Sequence, residues 1–520
     1  NVPELIAAVS RDRVFYEESG GGVTFSGGEP LQQAAFALAG LAACRDAGLH
    51  TALDTCGRVD PGVLEAAADL TDLVLFDLKC VDSDRHLEAT GSRSEPILDN
   101  LLRLARRENE GRHPTHVLRA LGFAHLCEHQ SIWIGDDELI VGERGPEPKA
   151  VPTYPELTCH TLEDLRILDS RDKTPYRVPD SCFEDYENVV IPFWKPRSLR
   201  DRLFSALPTD WKRLYEAGVF TEFMEQRAPG HAVLDGKIYR RGLRQVKGDI
   251  AVELARLDAT DPELPSKRDV LRAMEIACDA MIRFAGRHAE LAEERAAVET
   301  NVARRSELER IAAVCRRVPA EAPRDLHEAI QAYWFCHLGV VTELNGWDAF
   351  SPGHLDQHLD PFFRRGISDG SLSRESAREL LEALFVKFNN HPAPPKVGVT
   401  AAESGTYTDF ANISLGGMLS DGADGSSEMT WLLLDVVEDM HLLQPSTNLQ
   451  VASVTPDALL ARALKVIRRG YGFPSLFNAD MVVAEQMRVG KSPEDARAGG
   501  CSGCVETSAF GKESCVLTGY

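Results

Sequence analysis

The sequence predicts an α/β protein in which a parallel-sheet region precedes a longer, helix-rich region. Residues 1–105 alternate short apolar runs with helical segments. Residues 106–115 then form a polar stretch with Gly111 and Pro114, which is typical of a junction or linker. From 116 to 520, apolar residues recur mainly at helical spacing. We therefore expect two domains, 1–105 and 116–520, joined by this linker.

The first region contains strands and helices in alternation. The predicted strands are 23–25, 50–54 and 72–78, and the predicted helices are 31–48, 61–70 and 96–106. Such alternation is the pattern of βαβ units, in which each helix crosses over between two parallel strands. We therefore expect a parallel sheet covered by helices.

Polar residues follow each of these predicted strands. Ser26-Gly27-Gly28-Glu29-Pro30 follows the first strand, residues 54–57 end the second, and Asp77-Leu78-Lys79 ends the third. Binding sites of parallel sheets collect at the carboxyl ends of the strands. Two glycines let a backbone approach a ligand closely, and the Glu29 carboxylate can accept a hydrogen bond from an ammonium group. A plain turn is the alternative for residues 26–30 taken alone.

In the second region, two helix starts can be identified. Thr455-Pro456 predicts a helix that has proline at its first position and runs to Ile467. Ser492-Pro493-Glu494-Asp495 has the pattern of a capping box, and Gly499-Gly500 ends the short helix that follows. Residues 501–507 are therefore predicted to form a loop.

Cys504 and Glu506 lie two residues apart in this predicted loop. A thiol and a carboxylate at this spacing could face one cavity, where the thiol accepts a hydrogen atom and the carboxylate acts as a general acid–base. The alternative is a buried cysteine beside a solvated glutamate. Cys501 and Cys504 also form the one CxxC motif in the sequence, which by itself is weak support for zinc or redox chemistry.

Charge and composition exclude several classes of partner. The chain has 57 Lys and Arg against 80 Asp and Glu, a net charge of −23. Phosphate backbones and anionic lipids would repel such a chain, so we expect no nucleic acid and no membrane as partners. No apolar run approaches the roughly 20 residues of a membrane span, and no secretory signal is visible. The 12 cysteines are therefore expected to be reduced thiols of a cytoplasmic protein.

The run 20–30, together with Asp77-Leu78-Lys79, His86 and Thr90-Gly91, resembles the middle of the radical S-adenosylmethionine (SAM) activases of glycyl radical enzymes. The resemblance implies a partial radical-SAM (β/α) barrel. It also implies that Gly27, Gly28 and Glu29 hold the methionyl amino group of S-adenosylmethionine, and that Asp77 and Lys79 border the same cofactor. The CxxxCxxC motif that ligates the iron–sulfur cluster of that family does not occur in the sequence, so we expect no metal ligands here.

Residues 116–520 resemble the glycyl radical enzymes of the pyruvate formate-lyase type. The resembling stretches are 138–143, 152–156, 223–231, 347–350, 394–398, 406–410 and 503–520. Thr507 favours the hydroxyproline-dehydrating branch, because diol dehydratases usually carry proline there. The resemblance implies a helix-rich α/β barrel and a carbon–oxygen lyase. The implied reaction is the anaerobic dehydration of trans-4-hydroxy-L-proline to 1-pyrroline-5-carboxylate through a thiyl radical.

The resemblance gives a role to each predicted site residue. Cys504 would become the thiyl radical and take a hydrogen atom from the ring carbon beside nitrogen, and Glu506 would manage the proton that lets the hydroxyl leave as water. The predicted substrate contacts are His231 at the hydroxyl, Asp348 at the ring ammonium, Ser404 at the carboxylate, and Phe223, Phe410 and Tyr520 around the ring. Each contact has an ordinary alternative, a turn residue for the first three and a core aromatic for the others. His354, where relatives tend to have Arg, could lose a bidentate pairing.

Cofactors and partners follow from the same resemblance. The radical glycine of these enzymes lies in an Arg-Val-x-Gly-aromatic motif that does not occur in the sequence, so we expect a chain truncated at its C-terminus. For the complete enzyme we expect a glycyl radical, a radical-SAM activating enzyme, a small amino-acid substrate and a homodimer. The join between the two regions could be a natural fusion or an artefact. The alternative functions are a diol or polyol dehydratase and a non-catalytic fragment.

Overall fold

The computed structural model describes most of the chain as two compact units, Asn1–Leu118 and Arg119–Tyr520. The described residues are 1–19, 21–77, 86–87, 90–94, 96–98, 100–101, 104, 114–220, 232, 234–258, 260–344, 350–403, 411–503 and 505–513. The predicted linker at 106–115 lies almost wholly outside them. That linker, and the two domains it was predicted to join, therefore stay predictions.

The first unit contains a three-stranded parallel sheet. Its elements are the helices α1 (Val2–Val9), α2 (Arg13–Ser19), α3 (Ala34–Asp46) and α4 (Pro61–Asp69), and the strands β1 (Val23–Phe25), β2 (Thr51–Thr55) and β3 (Leu73–Phe76). The strands lie in the order β1-β2-β3, with Leu53 of β2 between Phe25 and Val74. The predicted alternation of parallel strands and helices is confirmed for these elements.

Crossover helices cover this sheet. Leu53 on β2, Leu41 on α3 and Leu64 on α4 are fully buried and belong to one apolar cluster. The helix predicted at 31–48 begins instead as a 3-10 turn at Pro30–Gln33, and α3 starts after it. The turn forms because Glu29 caps it, with its carboxylate accepting a hydrogen bond from the Leu31 amide.

The second unit is rich in helices, as predicted. Helix α5 (Thr115–His129) begins at the end of the first unit. The helices after it are α6 (Leu162–Ser170), α7 (Asp180–Asp185), α8 (Ile191–Trp194), α9 (Leu199–Ala206), α10 (Thr209–Glu216), α11 (Lys237–Arg240), α12 (Leu243–Arg256), α13 (Leu264–Val298), α14 (Val302–Arg317), α15 (Leu326–Leu344), α16 (Leu355–Asp369), α17 (Arg374–Asn389), α18 (Val399–Glu403), α19 (Glu428–Met440), α20 (Asp457–Ile467), α21 (Ala479–Arg488) and α22 (Pro493–Ala498). A π-helical turn at Tyr186–Val190 joins α7 to α8.

A four-stranded parallel sheet belongs to the second unit. Its strands are β4 (Gly353–His354), β5 (Asn412–Gly416), β6 (Ser446–Val451) and β7 (Ser475–Asn478), in that order. Ile413 and Leu415 on β5 and Leu449 on β6 share one face, since side chains alternate between the faces of a strand. These three residues are fully buried in the main apolar core together with Trp334 of α15 and Leu433 of α19. One face of the sheet therefore packs against helices.

Helix α13 has 35 residues, but it is not a membrane span. Phe284, Ala285, Ala289 and Ala292 are buried on one side, whereas Arg and Glu residues are frequent elsewhere along the helix. Among the residues that the structure describes, no helix is both long enough and apolar enough to cross a membrane.

Two local predictions for the second unit were wrong. Pro456 is the N-cap of α20, which starts at Asp457, whereas the sequence placed this proline at the first helical position. The Thr455 hydroxyl accepts a hydrogen bond from the Ala452 amide and so belongs to the preceding turn. Residues 501–507 are not an open loop, because strands pair on both sides of a short turn.

His288 on α13 gives a testable pH dependence. Its side chain is buried, its Nδ1 donates to the Phe284 carbonyl at 2.9 Å, and burial lowers its pKa from 6.5 to about 4. As the pH falls from 6.5 towards 4, His288 binds a proton in the unfolded chain but stays neutral in the folded chain. The free energy of unfolding therefore decreases as the pH is lowered through this range, and His288 contributes up to about 1.4 kcal/mol of this decrease per pH unit.

His288→Gln is expected to remove that contribution, which urea midpoints compared at about pH 7 and pH 5 would measure. His129→Gln, at an exposed histidine of the same unit, is the control. An unchanged pH dependence in His288→Gln would show that His288 is not responsible.

Candidate active site

The strands β8 (Gly500–Ser502) and β9 (Glu506–Ser508) form a short antiparallel hairpin. Ser502 lies opposite Glu506 in the register of the two strands. Gly503 has a φ of +58°, a left-handed conformation that glycine adopts without strain. The chain therefore reverses within residues 503–505. Cys504, the predicted radical carrier, belongs to this turn by sequence but lies outside the described residues.

Side chains of the parallel sheet hold one edge of this hairpin. The Asn412 side-chain amide donates to the Gly503 carbonyl at 2.6 Å. The Ser414 hydroxyl and the Asn448 side-chain amide both donate to the Cys501 carbonyl, at 3.1 and 3.4 Å. All three donors lie on the face of the sheet opposite the one that packs against helices. This polar face is the support on which the hairpin rests.

A further donor lies on β4. His354 Nε2 is 3.0 Å from the Gly499 carbonyl, which can only accept, so this nitrogen donates. The His354 ring also packs against Phe510, with ring centres 5.2 Å apart. Its Nδ1 is buried and has no hydrogen-bond partner within the described part of the chain. The sequence marked His354 only as a departure from relatives, whereas here it anchors the start of the hairpin.

Asp356 supports the same sheet from the start of α16. Its buried carboxylate accepts hydrogen bonds from the Gly416 amide at 2.8 Å and from the Thr430 hydroxyl at 2.6 Å. Burial raises its pKa above the usual range. Asp356 thus ties the end of β5 to α16 and α19. Sequence reasoning missed this residue, because an Asp near a helix start is common and gives no sign of these distant partners.

Glu506 is the predicted catalytic residue that the structure describes. It is partly buried on β9, and its Oε2 accepts a hydrogen bond from the Val505 amide at 2.9 Å. Cys501 is buried, and burial raises the pKa of its thiol to about 11, with the Glu506 charge as a further cause. Cys501 is therefore a neutral thiol near pH 7, which argues against it as a nucleophile.

The six predicted substrate contacts lie outside the described residues, namely Phe223, His231, Asp348, Ser404, Phe410 and Tyr520. Described residues within three positions of His231, Asp348 and Phe410 form hydrogen bonds around the hairpin. The Asn412 backbone amide donates to the Ser351 hydroxyl at 3.1 Å, which joins the segments that follow positions 348 and 410. The Gly511 amide donates to the Ala232 carbonyl at 3.0 Å, which joins the segment after position 231 to the chain that leaves the hairpin.

In the first unit, Glu29 connects the loop after β1 to the end of β2. Its carboxylate accepts hydrogen bonds from the Thr55 hydroxyl at 2.8 Å, the Cys56 amide at 2.9 Å, the Cys56 thiol at 3.1 Å and the Leu31 amide at 3.1 Å. A carboxylate has about four acceptor positions, so donors of the chain itself occupy much of this group. Thr55 and Cys56 were not predicted to bind Glu29, and their place at the end of a strand was the one available signal.

Gly27 and Gly28 lie beside open space at the carboxyl edge of the first sheet. Their φ angles are +97° and +69°, and a Cβ added to either would have no neighbour within 4 Å. Asp77 lies at the end of β3, and its amide donates to the Thr55 carbonyl at 2.9 Å. Lys79 lies outside the described residues. The two glycines therefore leave room for a ligand beside the backbone. Within the described residues, no three or more His, Cys, Asp or Glu side chains are arranged to hold a metal ion.

The model of the pyruvate formate lyase-like family matches residues 97–520. The chain belongs to this family of glycyl radical enzymes. It is 50% identical over 421 residues to the trans-4-hydroxy-L-proline dehydratase of Clostridioides difficile, and 32% identical over 412 residues to the isethionate sulfite-lyase of Oleidesulfovibrio alaskensis. These alignments cover 81% and 77% of this chain but 53% and 50% of the relatives. The chain spans about half the length of the curated relatives it matches.

Solved structures of this family have the same fold as the second unit. A crystal structure of the hydroxyproline dehydratase from Clostridioides difficile with trans-4-hydroxy-L-proline bound matches with a TM-score of 0.76 at 50% identity, covering 80% of this chain and 53% of that one. A glycerol-bound glycerol dehydratase from Clostridium butyricum matches with a TM-score of 0.72 at 28% identity, covering 78% and 51%. The predicted glycyl radical enzyme fold, helix-rich with a parallel sheet, is confirmed.

Glu29→Gln is expected to loosen the end of β2. In wild type these donors contact a carboxylate, whereas in the variant the NH₂ group of the new glutamine side chain would face some of them and could not accept their hydrogen bonds. Losing a hydrogen bond to a charged acceptor costs about 1–3 kcal/mol. Backbone amides of residues 51–57 should then exchange with deuterium faster, by about tenfold, in hydrogen-exchange mass spectrometry. Asp46→Asn, at an exposed carboxylate of the same unit, is the control. Equal exchange in Glu29→Gln and wild type would show that the Glu29 contacts do not hold this strand end.

Proposed function

We propose that residues 97–520 are the part of a glycyl radical dehydratase that binds trans-4-hydroxy-L-proline and converts it to 1-pyrroline-5-carboxylate and water. The observation that carries this proposal is the anchored hairpin, which brackets Cys504 between Gly503 and Glu506. It occurs in a chain 50% identical to a relative named for this reaction.

The proposed chemistry assigns two tasks to the hairpin. The glycyl radical of the family supplies the unpaired electron that the site uses. Cys504, as a thiyl, takes a hydrogen atom from the ring carbon beside nitrogen, so an S–H bond forms and the unpaired electron moves to carbon. Glu506 gives a proton to the hydroxyl on the next carbon, which leaves as water. Cys504 then returns its hydrogen atom to the product radical, and the ring nitrogen loses a proton as the imine forms, which replaces the proton that Glu506 gave. The dehydration therefore needs no oxidant or reductant.

The remaining predicted contacts would recognise the substrate. His231 would bind the hydroxyl, Asp348 the ring ammonium and Ser404 the carboxylate, while Phe223, Phe410 and Tyr520 would enclose the ring. Support comes from the described segments after positions 231, 348 and 410, which meet around the hairpin. An apolar enclosure would keep water away from the thiyl radical. A desolvated ammonium needs a carboxylate partner, which Asp348 would provide.

For the first unit we propose a radical-SAM activase-like region that binds S-adenosylmethionine. Gly27 and Gly28 would let the methionyl group approach the backbone, and the space beside them supports this role. Glu29 would share its carboxylate between that group and its present donors, and Asp77 and Lys79 would lie nearby. Together with an iron–sulfur cluster, S-adenosylmethionine supplies radical initiation in such activases. A separate activating enzyme and a homodimer belong to the same proposal.

The alternative substrate is a diol or a small polyol. It is favoured by the structural similarity of the second unit to a glycerol dehydratase, at 28% identity. Thr507 and the higher identity to the hydroxyproline dehydratase argue against it. A non-catalytic fragment is the second alternative. Activity assays decide among these three functions. They use the holoenzyme, by which we mean the polypeptide that contains these residues and also the radical glycine of the family.

Substitutions at the hairpin turn test the two catalytic roles. In the activated holoenzyme, Cys504→Ser should abolish turnover and leave the glycyl radical signal intact, because a serine O–H bond is too strong to relay the radical. Glu506→Gln should bind substrate but lower kcat by about 10²–10⁴-fold, because an amide cannot deliver the proton. Electron paramagnetic resonance and product assays measure these outcomes, with Asp46→Asn as the control. Turnover at the wild-type rate in either variant would remove the role assigned to it.

Substrate choice tests the binding site separately. A diol has no ammonium, so its binding would leave the proposed Asp348 carboxylate desolvated and unpaired, at a cost of about 1–3 kcal/mol or more. The holoenzyme is therefore expected to form cyclic imine from trans-4-hydroxy-L-proline and no aldehyde from propanediol or glycerol in parallel anaerobic assays. Faster aldehyde formation from propanediol or glycerol would make the diol or polyol dehydratase the correct assignment.

A further inference from the structure

Three carbonyls along one edge of the hairpin, those of residues 499, 501 and 503, accept hydrogen bonds from side chains of the parallel sheet. Those of Gly499 and Cys501 lie two residues apart on extended backbone and so face the same way, and Gly503 follows in the turn. The other edge of β8 pairs with β9. A two-stranded hairpin is marginally stable by itself, so its position depends on these donors.

The donor nearest the turn is the Asn412 side chain, and a chain of amides fixes its orientation. Gln450 donates to the Asn448 side-chain carbonyl at 3.0 Å, and Asn448 donates to the Asn412 side-chain carbonyl at 2.9 Å. The NH₂ group of Asn412 is thereby turned to the Gly503 carbonyl, 2.6 Å away. All three amide side chains are at most 4% exposed, so water cannot readily replace these bonds.

The carbonyl that Asn412 holds belongs to the peptide bond that enters Cys504. A peptide group is planar, so fixing the Gly503 oxygen also restricts the other atoms of the peptide group between residues 503 and 504. Gly503 is also the residue with the left-handed φ of +58°, at which the chain turns. If this carbonyl had no hydrogen-bond partner, the turn would be less constrained, because glycine has more backbone freedom than other residue types.

We propose that Asn412 is a positioning residue that fixes the turn carrying Cys504 for hydrogen-atom transfer. The inference rests on the proposed function for the reaction, but the contact itself does not depend on which substrate is used. Transfer between sulfur and carbon needs the two atoms close together and aligned. A displacement of about 1 Å can cost on the order of 10²-fold in rate. Asn412 therefore contributes to kcat without touching the substrate.

Two variants and a matched control test the contact. Asn412→Leu removes the donor. Asn412→Asp keeps the size and the acceptor for Asn448, but it puts a carboxylate against the Gly503 carbonyl. Gln331→Met is the control, because Gln331 is a fully buried amide that pairs with both backbone groups of Val141, away from the hairpin. A general loss of buried amide bonding would affect all three variants alike.

The first measurement uses this chain without activation. Hydrogen-exchange mass spectrometry is expected to show residues 499–508 exchanging at least about tenfold faster in both Asn412 variants, and unchanged in Gln331→Met. Unaltered exchange of this segment in a folded Asn412 variant would overturn the proposal. Because no turnover is involved, this result stands whether or not the proposed reaction is correct.

The second measurement uses the activated holoenzyme with substrate deuterated at the ring carbon beside nitrogen. In Asn412→Asp we expect kcat to fall about 10–100-fold, KM to change by less than about threefold, and the glycyl radical content to match wild type. The isotope effect on kcat should be at least as large as in wild type, because hydrogen transfer has become slower. A wild-type kcat, or a lower kcat with no isotope effect, would overturn the positioning role. A wild-type enzyme without hydroxyproline turnover would instead refute the proposed function, and the exchange result would still decide the contact.

Discussion

The hairpin depends on one constraint, the need of buried polar groups for partners. Carbonyls of the hairpin edge and amides of the sheet are both removed from water, and an unpaired buried amide or carbonyl costs about 1–3 kcal/mol. At Gly503 the two kinds of group pair with each other, since the Asn412 side-chain amide donates to the Gly503 carbonyl at 2.6 Å. The polar face of the sheet needs the carbonyls of the hairpin as partners, and the hairpin is held to the sheet by these donors. Sheet and hairpin are therefore parts of one arrangement.

The same sheet carries two opposite chemistries on its two faces. Ile413 and Leu415 face the helices, where burial of apolar surface is favourable, while Asn412 and Ser414 face the hairpin. Strands of a parallel sheet buried on both sides are usually apolar throughout. The helical shell on one side stabilises the unit enough to permit a hydrogen-bonded interior on the other. The turn that follows β8 thus adjoins a buried network whose geometry is set by directional hydrogen bonds.

Much of the fold could be predicted from the sequence, but the support of the site could not. Apolar runs such as residues 73–76 predicted the first sheet, because a hydrophobic strand shows itself locally. The hairpin was predicted as a loop, since β8 and β9 have three residues each and are held by side chains about 50 to 90 positions away. The alternation in residues 412–416 and 446–451 was a usable signal for a two-faced sheet. Pro456 was misplaced by one position, because a proline is tolerated both at a helix cap and in the first turn.

The amide chain from Gln450 through Asn448 to Asn412 has a direction, because each link uses a donor on one residue and an acceptor on the next. This limits how the protein can evolve. A single change from amide to carboxylate removes one donor and leaves two acceptors facing each other, whereas a simultaneous change of two neighbours can restore an alternating order. Among homologous sequences, positions 412 and 448 should therefore vary as a pair, and intermediate sequences with one altered position should be rare.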